Sequence, residues 1–312
     1  MSSQKNSANQ VGAFAAAKEF VILILIIFLV RTYGFGLYQV PTGSMETTML
    51  VGERFFADKL TLHFKPLKNG EIISFNDPVY PYSTNPAKNL FERYVWGPDS
   101  WTKRIIGIPG DEIRGAIEDG KSVLYRNGVK LDEPYLNKFP LVAVRDRASV
   151  LRGDVSITTK SYDPSHSYQD QPFYELDSAC VLKDLAGNPL LTDQTIGRPS
   201  PRRAIGLALP EGKNYFDGSD EFYVKLGENQ YWCMGDNRKG SHDCRVFGPI
   251  DGKLIHGKIL FRLMSIDAPN EICGRQKGFV PWIKSFLLVD MVLHPIDFWS
   301  RVRWNRFFQI VR

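Results

Sequence analysis

The sequence predicts a mainly β protein: an antiparallel, barrel-like core carrying an inserted subdomain, preceded by a single N-terminal transmembrane helix. Three observations predict this. Short β-rich runs recur at 52–57, 71–75, 102–106, 123–126, 221–225, 230–234 and 258–263. Gly-Asp, Asn-Gly and Gly-Glu-Asn punctuation between them fits hairpins, and no regular alternation with helical segments points to a parallel α/β sheet. One apolar run near the start, FVILILIIFLV at 20–30, contains no polar residue.

Taken in order, residues 1–10 are polar and small, and 1–18 form a short N-terminal tail. The apolar run is short of the about 20 residues a span needs. Extension back through Ala15–Ala17, or forward through Tyr33 to Tyr38, supplies the length if Lys18 or Arg31 snorkels, and the anchor is placed at 19–38. No small-x-small cleavage site follows, since Arg31-Thr32-Tyr33-Gly34 comes next, so the segment reads as retained. Charge bias does not fix its orientation. Residues 39–114 form the first part of the catalytic core and 221–278 the second. Between them, 115–220 loosens into polar, Pro- and Asp-rich sequence and reads as an insertion. The last stretch, 279–312, mixes Trp282, Phe286, Trp299, Trp304 and Phe308 with Lys284, Arg301, Arg303 and Arg306. It reads either as a membrane-interfacial segment or as a helix packed on the domain.

A chain of 312 residues with mean hydropathy of −0.22 is not a polytopic membrane protein. Its net charge of +5 is mild and dispersed, so no nucleic-acid partner is expected. Cys180, Cys233, Cys244 and Cys273 lack C-x-x-C spacing. Cys233 and Cys244 read as free buried thiols, with pairing across a hairpin as the alternative.

An acyl hydrolase needs a nucleophile, an unprotonated base and donors aimed at the developing oxyanion. The five histidines form no H-E-x-x-H, and no G-x-S-x-G occurs; neither a metal nor a cofactor is implied. Pro41-Thr42-Gly43-Ser44-Met45 follows the anchor, and a glycine before a serine permits a tight turn that exposes the hydroxyl and nearby N–H groups. On its own this is a plain loop signal. In Trp101-Thr102-Lys103-Arg104-Ile105-Ile106, strand alternation puts Lys103 on a face with Trp101 and Ile105. A lysine is a poor base at its usual pKa of about 10.4, and burial lowers it; an edge charge is the competing reading. The third stretch, Gly235-Asp236-Asn237-Arg238-Lys239-Gly240-Ser241-His242-Asp243-Cys244-Arg245, follows a short apolar strand. Ser241 can orient an amine there, while Asp236 with Arg238, or Asp243 with Arg245, can form stiffening ion pairs. Ser241 and His242 are neighbours whose side chains point apart in extended backbone, a poor nucleophile–base pair.

Together these stretches resemble the type I signal peptidases, membrane-anchored Ser-Lys proteases. The nucleophile box continues to Met49-Leu50-Val51-Gly52, the lysine box runs from Lys103 to Asp111, and the last box ends near Gly248. The resemblance covers about 19–265. It implies that Ser44 attacks the peptide carbonyl, that Lys103 takes its proton, and that the Ser44 N–H with the Thr42 hydroxyl forms the oxyanion hole. By the same resemblance Ser241 orients Lys103, Asp243 and Arg245 support its loop, and Asp236 and Arg238 are structural neighbours. Lys239 and Gly240 depart from the usual acidic and amide residues and Cys244 from a frequent serine, none at a catalytic position. Many relatives carry two N-terminal spans where this chain shows one.

The expected function is a serine endopeptidase removing signal peptides from exported preproteins after small residues. The expected location is the bacterial inner membrane, with the catalytic domain on the periplasmic side, and the partners are secretory preproteins and membrane lipid. A self-cleaving Ser-Lys repressor is the enzyme rival, disfavoured because residues 1–40 offer no helix-turn-helix. A silent anchored binding module is the non-enzyme rival.

Overall fold

The computed structural model describes residues 2–94, 97–145, 157–174, 176–192, 216, 219–266, 291–292 and 295–311. The expected insertion stretches 146–156 and 193–215, Cys273, residues 279–290 of the tail and His294 lie outside the described residues.

Helix α1 (Ser2–Leu29) passes through a π-helical turn, Val30–Gly34, directly into strand β1 (Phe35–Gln39). The expected anchor of 19–38 therefore overlaps the sheet: β1 pairs with the next strand from Phe35 onward, which takes 35–38 out of any helix. Among the described residues no helix is long and apolar enough to cross a membrane.

The strands that follow are β2 (Arg54–Asp58), β3 (Ile72–Asn76), β4 (Ser100–Gly107), β5 (Glu112–Glu118), β6 (Lys121–Arg126), β7 (Val129–Lys130), β8 (Leu141–Arg145) and β9 (Ile157–Ser161). After them come β10 (Leu191–Thr192), β11 (Phe222–Lys225), β12 (Gln230–Met234), β13 (Ile250–Asp251), β14 (Ile255–Met264) and β15 (Gln309–Ile310). Short helices α2 (Pro86–Tyr94), α3 (Cys244–Phe247) and α4 (Pro295–Ser300) punctuate them. Every one of the seven β-rich runs overlaps a strand, and all the paired strands are antiparallel.

The main sheet runs β1-β2-β14-β3-β4-β12-β13, with β15 on β14. β4 is thus central, flanked by β3 and β12, and the edge-charge reading of Lys103 fails. Both its faces are buried from Lys103 to Ile106, because apolar layers cover each side.

A four-stranded sheet, β11-β5-β6-β7, shares one core with the main sheet. Phe75, Ile105, Ile113, Leu124, Phe222 and Trp232 meet there, each at most 1% exposed. A fully buried aliphatic or aromatic side chain contributes about 1.5–3 kcal/mol. Most of the hairpin β5–β6 falls within the expected insertion of 115–220, yet Ile113 and Leu124 pack in the same core as the main sheet. The third sheet, β10-β8-β9, has its own cluster around Val142, Val144, Tyr162 and Tyr174, which includes Leu50 and Val51 from the segment that follows Ser44. The C-terminal segment docks back: β15 pairs β14, and Arg306 and Arg262 converge on the carboxylate of fully buried Glu53.

Candidate active site

Thr42 is extended and exposed, and Gly43–Met45 then winds into one 3-10 turn whose first N–H groups have no acceptor within the turn. Ser44 lies on that turn, 8% exposed. The turn is held by the last box. The Asn237 N–H donates to the Ser44 carbonyl at 3.1 Å, and Asn237 Nδ2 donates to the Gly43 carbonyl at 3.0 Å. Gly235 allows the two loops to touch: a Cβ there would stand 2.4 Å from the Ser44 carbonyl oxygen and 2.3 Å from Ser241 Oγ.

Lys103, 4% exposed, donates from Nζ to Ser44 Oγ at 2.8 Å and to the Thr102 carbonyl at 3.1 Å. Residues 59 apart in the chain are brought into contact because β4 presents Lys103 beneath the turn. Burial pushes the amine down to about 8, against the opposing pull of Asp243 and, more weakly, of Cys244, Cys233 and Asp236. The surroundings explain the direction. The Trp101 ring centre lies 5.7 Å from Nζ, and Trp101 packs on His242 and Phe247. Cys233 and Cys244 are free, fully buried thiols, with the Cys233 N–H on Cys244 Sγ at 3.0 Å.

Behind the dyad stand two buried ion pairs. Asp243 caps α3, accepting from the Arg245 N–H at 3.2 Å, and receives Arg245 Nε and Nη2 at 2.9 Å each. The Gly235 N–H reaches its Oδ2 at 3.1 Å. Arg245, followed by hydrogen bonds from Ser241 and Gly235, holds the Asp243 carboxyl well below the usual carboxylate range despite complete burial. Ser241 thus meets the site through Asp243, while the hydrogen bonds of Lys103 Nζ go to Ser44 and Thr102. The second pair corrects an expectation. Asp236 binds Arg104 of β4, from Nε at 2.8 Å and Nη2 at 2.7 Å, and not Arg238. Arg238 turns instead to Glu133 and to the Gly235 carbonyl. The physical reason is geometric: Arg104 presents both N–H groups in a fork to one carboxylate, with Tyr135 stacked 3.9 Å from its guanidinium.

Asn237 stands in the third stretch of the sequence, and its clamp on the turn is a role that no local pattern announces. The pairings of Glu46 with Ser161 and of Glu53 with Arg306 carry no local signal, because the partners lie 115 and 253 residues apart. Among the described residues no group of three or more His, Cys, Asp and Glu side chains is placed to hold a metal ion.

A hydroxyl bonded to a buried amine, inside a loop clamped by a second turn, is the working arrangement of a serine endopeptidase that uses lysine in place of histidine. Residues 13–264 match the family described as signal peptidase, peptidase S26, and the chain belongs to that family. A probable signal peptidase I-2 from a Synechocystis strain is 31% identical over 44% of this chain and 58% of its own length. Signal peptidase I of Buchnera aphidicola is 24% identical over 84% of this chain and 79% of that protein. Signal peptidase IB of Staphylococcus aureus is 26% identical over 77% and 84%.

Proposed function

We propose that this chain cleaves N-terminal signal peptides from exported preproteins after small residues, with Ser44 as nucleophile and neutral Lys103 as general base. The observation that carries the reading is the 2.8 Å contact between Lys103 Nζ and Ser44 Oγ, both in a buried setting that favours the uncharged amine.

In this mechanism Oγ attacks the scissile carbonyl carbon as its proton passes to Nζ. The carbonyl electron pair moves onto oxygen, where the Ser44 N–H and the Thr42 hydroxyl stabilise it. Collapse expels the new amino terminus, which takes the proton back from Lys103, leaving an ester on Ser44. Water attacks that ester with Lys103 again as base, and the serine is restored. Asp243 with Arg245, and Asp236 with Arg104, keep their charges paired, so the loop carrying Ser241 and Asn237 stays fixed without lending a counter-ion directly to Nζ. Arg238 ties the same loop to Glu133.

The site is proposed to work at the membrane surface, where signal peptidase substrates keep their apolar segments. Phe20 to Leu29 of α1 expose large apolar side chains, 45–64% for Phe20 to Ile27. A helix apolar all round is stable only when something apolar covers it. With β1 beginning at Phe35, the anchor would gain its length backward through Ala15–Ala17. Cys180 is disulfide-bonded, which fits a catalytic domain on the oxidising, extracytoplasmic side and residues 1–18 in the cytoplasm. Exposed Trp299, Trp304, Phe308 and Ile310 beside Arg301 suit an interfacial role for the tail. Holding enzyme and cleavage site at one surface raises their effective concentration.

The test is cleavage of a purified preprotein in detergent by wild type, Ser44→Ala, Lys103→Ala and His242→Ala. Both dyad variants should stay folded and lose about 10³-fold or more in kcat, while His242→Ala keeps most activity. An active Lys103→Ala, or an equal loss from His242→Ala, would defeat the assignment.

A further inference from the structure

The Gly43–Ser44 turn is gripped from two sides, and only the Asn237 side belongs to the last motif. On the other side stands Glu46, two residues past the nucleophile and 0% exposed. Its Oε2 accepts from the Ser161 N–H at 3.1 Å and from the Ser161 hydroxyl at 2.5 Å. Its Oε1 is buried and has no hydrogen-bond partner among the described residues. The carboxyl lies against Gly43: a Cβ on that glycine would stand 2.2 Å from Oε1 and 2.6 Å from the carboxyl carbon. From Ser161 the contacts continue, since Asn137 Nδ2 donates to its hydroxyl at 2.6 Å and the Asn137 N–H donates to the Asp236 carbonyl at 3.0 Å. A run of hydrogen bonds therefore leads from the nucleophile's turn, through the end of β9, to the loop that holds the turn from its far side.

We propose that Glu46 is a positioning residue for Ser44 and that β9 is its anchor, so that the β8–β9–β10 sheet is a direct support of the active site. The inference rests on Ser44 being the nucleophile. A carboxyl packed on the α-carbon of residue 43 limits how far residue 44 can swing, and misplacing a nucleophile by an ångström can cost about 10²-fold in rate. Burial pushes the Glu46 carboxyl up, against the pull of Lys160 on β9, of Arg303 from the C-terminal segment and of the Ser161 hydrogen bonds. Glutamine keeps the length and shape of the side chain, and its amide oxygen can still accept from Ser161.

The experiment measures kcat and KM on a preprotein, with Tm, for Glu46→Ala, Glu46→Gln, Ser161→Ala and the Glu46→Ala/Ser161→Ala double variant. Glu46→Ala should lower kcat about 10- to 100-fold with KM little changed, as expected when an interaction serves the transition state and not substrate binding. Glu46→Gln should recover most of that loss. Ser161→Ala should lower kcat in the same direction by less, and the double variant should be no slower than Glu46→Ala alone, because both act through one contact. A folded Glu46→Ala with wild-type kcat overturns the proposal, as does a Glu46→Gln equally impaired or an additive double variant. Should Glu46→Ala not fold, Ser161→Ala decides: wild-type kcat there overturns it. An active Ser44→Ala removes the premise, whereas a dead Ser44→Ala beside an unimpaired Glu46→Ala removes only the role of Glu46.

Discussion

Lys103 and Arg104 are neighbours on one strand, 4% and 2% exposed, and they meet opposite electrostatic fates. Arg104 faces Asp236 with two hydrogen bonds and Tyr135 with its flat side, so a permanent charge is fully matched. Lys103 faces a serine hydroxyl, a carbonyl and an aromatic wall, and its amine falls to about 8. Depth alone does not set ionisation. The partner decides whether the cost of burial is offset, and one strand can carry a structural cation on one face and a reactive base on the other because successive side chains alternate.

The comparison breaks most visibly through chemistry. Lys103→Arg places a permanently charged group where an uncharged one is required, and should abolish turnover by about 10³-fold or more in the preprotein assay. Next in size is stability. Asp236→Asn leaves the Arg104 guanidinium buried without its counter-charge and should cost about 3–5 kcal/mol, read as a large fall in Tm. Lys103→Met should move Tm the other way. A lysine held near 8 in the fold and near 10.5 unfolded costs roughly 3 kcal/mol at pH 7, a cost recovered as pH rises from about 8 toward 10.5. Equal and same-signed Tm changes in these two variants would show that the strand does not separate the two roles. The smallest effect is a slope. Because only the neutral amine accepts a proton, log kcat/KM should climb by one per pH unit below an apparent pKa of about 8 and level off above it. A profile flat from pH 6 to 9 would contradict a lysine base.

Much of this arrangement was legible in the amino-acid order, for physical reasons that also mark where legibility stops. Strand alternation alone put Lys103 with Trp101 and Ile105, and a glycine before Ser44 marked a tight turn. The pairing of Asp243 with Arg245 was readable because those residues are two apart and cap one helix. Arg104 and Asp236 are 132 residues apart, and nothing local says that Asp236 should prefer Arg104 to nearby Arg238. Strands β8 and β9 were missed for a related reason. β8 reads LVAVR and is buried on both faces within a polar stretch, so it lacks the period-two contrast that reveals a half-exposed strand. The expected helical segment of 19–38 runs past the observed helix because residues 35–38 are apolar enough for a helix, and only pairing with β2 makes them a strand.

The position of β14 has a consequence for timing. Residues 255–264 form the strand between β2 and β3, and Asn237 belongs to the late loop that steadies residue 44. Residues through β14 must therefore be present before the dyad can be assembled. A chain broken off before residue 237 would hold Ser44 and Lys103 without the loop that fixes the turn, and would have no working dyad.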